Sequence, residues 1–128
     1  MAVVAVLAPA GCSIGADDEP RPVSGVPKEI AATVDRLERA IGQRDYDEVC
    51  DRLFTPAARK RAGGAECAKQ LAAATEGVRR PSIEIRGIDV TGDRAAVKVA
   101  TTAEGQARLI DTLRLRREGR RWLIDALS

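Results

Sequence analysis

Apolar residues recur along this chain with two different periods, and the change of period divides its folded part. Ile30, Val34, Leu37 and Ile41 follow at steps of four, three and four. That spacing puts them on one face of a helix running from about Pro27 to Gly42. In DYDEVCDRLF, Asp45 precedes Glu48 by three residues, the pattern of a capping box, and Val49, Cys50, Leu53 and Phe54 share a face. Thr55-Pro56 then supplies an N-cap and a first-turn proline for TPAARKRA. Gly63-Gly64 ends that helix, and AECAKQLAAAT forms another as far as Thr75.

After Pro81 the period falls to two. Ile83 and Ile85 alternate with charged residues, and Gly87 shifts the parity so that Ile88 and Val90 continue the apolar set, which predicts a bulge. Thr91-Gly92-Asp93 turns the chain into a second strand with Ala95, Val97 and Val99 inside. A loop around Glu104-Gly105 leads to a third, where Leu109, Leu113 and Leu115 share a face. Glu118-Gly119 leads to a fourth, RRWLIDAL. Helices first and an antiparallel meander afterwards give an α+β fold, its helices packed on one face of the sheet.

Composition sharpens this picture. The chain has 128 residues, 45% hydrophobic and 31% charged, enough for one domain of modest core. Tyr46, Phe54 and Trp122 are the only aromatics, so Ile, Val and Leu must build the core, with Trp122 its largest member. The net charge is +2 with both signs interspersed, which predicts no nucleic-acid binding. Only four of the 21 basic residues are lysines, a composition expected of a GC-rich bacterial genome. Histidine is absent, which excludes Ser-His-Asp and Cys-His catalysis and His-ligated metal sites, and no cofactor is expected.

Residues 1 to 10, MAVVAVLAPA, are apolar and uncharged but too short to span ~30 Å of hydrocarbon. They suit the apolar region of an export signal. Ala10-Gly11-Cys12 resembles the bacterial lipobox, although Pro9 stands where that motif usually has Leu and no basic residue precedes the run. Translation is therefore expected to start upstream of Met1. The resemblance implies that Cys12 becomes the lipid-bearing mature N-terminus on the outer face of the membrane, the alternative being a secreted protein. Residues 13 to 28 carry three prolines and the acids Asp17, Asp18 and Glu19. Such a segment reads as a tether. The expected organisation is a partial signal (1–11), lipobox Cys and tether (12–27) and a folded domain (28–128).

Two cysteines remain, Cys50 and Cys67, each in a predicted helix with the Gly-Gly turn between them. In an oxidising compartment they are expected to close a disulfide; two buried free thiols are the alternative.

The element order, the junction AIGQRDYDEVCDRLFTPAAR and the final EGRRWLIDAL together resemble the NTF2-like superfamily, and within it small actinobacterial lipoproteins of the cell envelope. The resemblance implies a curved sheet wrapped around helices, with a conical pocket between them. Its isomerase-type members use a pocket carboxylate with a phenol or protonated acid. Here Asp111 has the parity of Leu113 and Leu115, and Tyr46 is the only phenol. Dehydratase-type members rely on histidines that this chain lacks. Tyr46 and Trp122 are candidate ligand contacts. Arg114 and Arg116 fall on the strand face opposite the leucines and predict an outer basic stripe, to which Arg79-Arg80, Arg117 and Arg120-Arg121 add charge. The function expected is a non-catalytic, membrane-anchored lipoprotein binding a small apolar ligand or a protein partner. The alternatives are a proton-transfer enzyme with Asp111 as base and a module that homodimerises through its sheet.

Overall fold

The computed structural model describes residues 26–128. The apolar run, Cys12 and most of the tether lie outside the described residues. Helix α1, Val26–Gly42, takes Val26 and Pro27 into its first turn and buries Ile30, Val34 and Leu37. Helix α2, Tyr46–Glu48, is capped as its sequence requires: the Asp45 carboxylate accepts from the Glu48 amide at 3.2 Å. The reciprocal half of the capping box does not form, because Glu48 turns instead to Arg36 and Arg52.

The segment expected to continue α2 is a π-helical turn, Val49–Leu53, closed by a 2.9 Å bond from the Phe54 amide to the Val49 carbonyl. Val49, Cys50 and Leu53 are all buried on the inner side of this turn. Helix α3, Pro56–Arg61, starts at Thr55, whose hydroxyl accepts from the Ala58 amide at 3.1 Å. Gly63 and Gly64 both have positive φ, at 119° and 60°, which reverses the chain at no steric cost. A short 3₁₀ turn, Gly64–Glu66, then feeds α4, Cys67–Ala74.

Strands β1 (Ser82–Thr91), β2 (Arg94–Thr102), β3 (Leu109–Glu118) and β4 (Arg121–Leu127) form one antiparallel sheet in chain order. The predicted bulge is present: register slips between Ile85 and Gly87. A second slip, not foreseen, falls between Arg114 and Leu115, where β4 runs from Ala126 to Ile124 and leaves Asp125 unmatched. Bulges bend and twist a strand. The sheet curves far enough for both of its edges, β1 and β4, to touch α1. Phe54 pairs with Ile124 and the Thr55 amide donates to the Ile124 carbonyl at 2.9 Å, so part of the β4 edge is covered.

The core lies between α1, the π turn and the inner face of the sheet, where Val97, Val99, Leu113, Leu115, Trp122 and Ile124 are buried. Burying each Val, Leu or Ile side chain contributes roughly 1.5–3 kcal/mol. Leu109 has the expected parity but is 60% exposed, because β3 begins beyond the reach of the helices. The fold is α+β, a curved four-stranded sheet closed on one side by helices.

Candidate functional site

Where the sheet diverges from the C-terminal half of α1, a cavity of about 450 Å³ remains. The helical period brings Leu37 and Ile41 to its wall, α3 adds Ala58 and Ala62, and α4 adds Leu71 and Ala74. Leu113, Ile124 and Leu127 close it from the sheet. Alanine at the helical positions is what leaves room, since larger residues there would fill the cone. A second depression of about 610 Å³ lies beside Cys50, but it is a shallow surface feature bordered by Asp51, Arg59 and Lys60.

Two polar pairs interrupt the apolar wall, Asp125 with Arg61 and Tyr46 with Thr75. Asp125 is the bulged residue of β4, and its carboxylate accepts a 2.7 Å bond from Thr55 Oγ1. Arg61 holds its backbone: the guanidinium donates to the Asp125 carbonyl and lies 3.9 Å from the carboxylate. In the second pair the Tyr46 hydroxyl is 2.6 Å from Thr75 Oγ1. Thr75 spends its one hydrogen on the Leu71 carbonyl at 2.8 Å, so Tyr46 is the donor in that pair. The phenol is thereby committed within the wall.

The residues expected to form a site are dispersed. Tyr46 lines the cavity. Asp111, opposite Val99 in register and half-buried, does not line it; the carboxylate at the cavity wall is Asp125. Trp122 is 3% exposed and belongs to the core at the other end of α1, not to the cavity. Asp125, Thr55 and Arg61 were not foreseeable as a set. Reading β4 with strict alternation pairs Asp125 with the outer face; at the unforeseen bulge it borders both the cavity and an outer depression beside Arg94 and Arg116. The cysteine pair does meet: Cys50 and Cys67 are joined in a disulfide with Cα atoms 6.1 Å apart. Arg114 and Arg116 are exposed on the outer face, as the parity requires.

Thr55 both caps α3 and anchors Asp125, with its own side chain buried. Thr55→Ala is expected to cost roughly 1–2 kcal/mol of stability, the cap accounting for about half. Urea unfolding of Thr55→Ala, Asp125→Ala and the double variant checks this; additive losses would show that the two side chains are not coupled.

Solved structures supply the architecture's counterparts. An NTF-2-like protein of unknown function from Silicibacter pomeroyi aligns with a TM-score of 0.57 at 20% identity, over 79% of this chain and 94% of that one. A de novo designed protein with a curved β-sheet gives 0.56 at 16%, over 77% and 96%. A candidate SnoaL-like polyketide cyclase from Jannaschia gives 0.50 at 17%, over 85% and 90%. No protein-family model and no curated protein matches the sequence. The chain has the NTF2-like fold, a curved sheet and helices enclosing a cone. Among these counterparts one is named for an enzyme, one is designed and one has no known function, so the fold leaves the activity to the site.

Proposed function

We propose that this domain is a non-catalytic binding module for a small apolar ligand, held outside the cytoplasm by lipid on Cys12. The observation that carries the reading is the cavity itself: a mostly apolar cone of about 450 Å³ whose wall also carries the Asp125 carboxylate beside Arg61 and the Tyr46–Thr75 pair. That size and polarity suit a compact hydrophobic molecule oriented by a single hydrogen bond to the free oxygen of Asp125. Proton-transfer chemistry calls for a second polar group free to act on the substrate, and Tyr46 is committed to Thr75 while Asp111 stands outside the cavity. The dimer reading finds less support, since the outer sheet face presents Arg94, Lys98, Arg114 and Arg116 rather than an apolar patch.

Native mass spectrometry of the full-length gene product extracted from its own membranes tests both halves. The expected spectrum carries an added mass that leaves on denaturation, and the denatured chain begins at Cys12 with a diacylglyceryl group. Ala74→Trp, which fills the cavity from an exposed wall position, is expected to lower ligand occupancy at least about tenfold with the fold retained. A ligand-free native mass, or occupancy unchanged by Ala74→Trp, sinks the binding reading.

A further inference from the structure

Another concavity, of about 210 Å³, lies at the opposite half of α1 from the apolar cone. Its walls come from the first turns of α1, the π turn and the start of β4. Four arginines line it, Arg36, Arg52, Arg120 and Arg121, against a single acid, Glu29. Two of the four share one carboxylate, Glu48. Arg121 donates to the Arg52 carbonyl at 2.9 Å, a contact that fixes the guanidinium without neutralising it. Among the described residues neither Arg120 nor Arg121 forms an ion pair, although Glu118 stands opposite Arg121 in register.

The positive surface continues onto the sheet. Leu123, at the rim of the concavity, is paired in register with Arg116, and Arg116 is paired with Arg94. Like charges directly opposite each other on a sheet are unfavourable, and among the described residues neither arginine forms an ion pair, although Asp89 and Asp125 border the same depression. An external anion would relieve that repulsion.

Position selects the anion. Residues 1–25 join the domain at Val26, one helical turn before Glu29 at the edge of the concavity. Cys12 is fourteen residues further back along the chain.

We propose that this tether-side end of the domain docks on an anionic phospholipid surface, with the arginine groove against the headgroup phosphates. Guanidinium forks suit phosphate oxygens in pairs. Each arginine brought to such a surface strengthens binding by about fivefold, and the effect weakens with salt. Docked this way, the domain keeps the apolar cone at its far end, turned away from the bilayer. The inference rests on the anchored reading only for which side of the domain the membrane meets.

The test uses the full chain carrying Cys12→Ser, which cannot be lipidated, in co-sedimentation with vesicles. Vesicles containing phosphatidylglycerol are expected to bind it at least about tenfold more tightly than vesicles of phosphatidylcholine alone, and the difference should shrink at high salt. Arg116→Ala with Arg120→Ala, both exposed, is expected to weaken binding to the anionic vesicles about 25-fold. Arg79→Ala with Arg80→Ala removes the same charge near the other end of α1 and is expected to change it less than about twofold. Equal binding to the two vesicle types overturns the proposal, as does an equal loss from both double variants, which would mean that net charge alone attracts the chain. Because Cys12 is replaced, failure here leaves lipid anchoring untouched, and a native chain without an acyl mass leaves this docking surface untouched.

Discussion

Trp122→Ala is expected to destabilise the domain by roughly 3–5 kcal/mol, the largest single-residue effect in the molecule. Trp122 is the one bulky aromatic fully inside a core otherwise made of aliphatic residues and alanine. Its neighbours are held by the helix and the strand backbone, so they cannot collapse into the space an alanine leaves. Its main-chain carbonyl also receives the Thr33 hydroxyl at 2.9 Å, a buried link from α1 to β4 that any disturbance of the strand would strain. The indole nitrogen adds a discriminating feature: Trp122 Nε1 is buried without a hydrogen-bond partner among the described residues. Trp122→Phe removes that unsatisfied donor along with some volume, and is therefore expected to cost well under half as much as Trp122→Ala. Urea denaturation followed by far-ultraviolet circular dichroism measures both. Equal losses for the two variants would mean that the indole N–H has a partner whose bond matters as much as the packing.

Breaking the Cys50–Cys67 bond is expected to cost about 3 kcal/mol. The bond closes a loop of 17 residues, and tying its ends removes that much conformational freedom from the unfolded chain. In a domain of this size the loss corresponds to a fall in Tm of roughly 12–24 °C. The bond also ties the π turn to the start of α4, and both elements contribute to the wall of the apolar cone. Cys50→Ser with Cys67→Ser should therefore reduce ligand occupancy as well as Tm, while reduction of the wild-type protein should reproduce both effects. A double variant that melts within a few degrees of the wild type would remove the disulfide from any structural role.

Much of the architecture is legible in the residue pattern because it depends on near neighbours along the chain. The three-four spacing of Ile30, Val34, Leu37 and Ile41 fixes the buried face of α1, and alternation fixes the inner faces of β2 and β3. The Thr55 cap is local in the same sense, and Gly87 marked the β1 bulge correctly. The places where the reading departs from the structure depend on distant segments. The turn at Val49–Leu53 looks helical by every local measure. It widens to a π turn where Val49, Cys50 and Leu53 are all drawn inward and Cys50 reaches Cys67.

The site divides along the same line. Sequence paired the two cysteines and offered Tyr46 and Trp122 as candidate contacts, with Asp111, by simple parity along β3, as the candidate carboxylate of the enzymatic alternative. Tertiary structure put Asp125 at the cavity wall instead, through a bulge in β4 that has no glycine or proline to announce it. Phe54 and Thr55 dock on the β4 edge at that bulge, and Thr55 then holds the carboxylate. Sequence alone thus determined which faces are apolar, because side-chain direction follows from the period of the backbone. Where the cone stays open, which acid reaches it and which arginines share a surface were decided by packing between segments far apart in the chain, whose register and curvature no local pattern encodes.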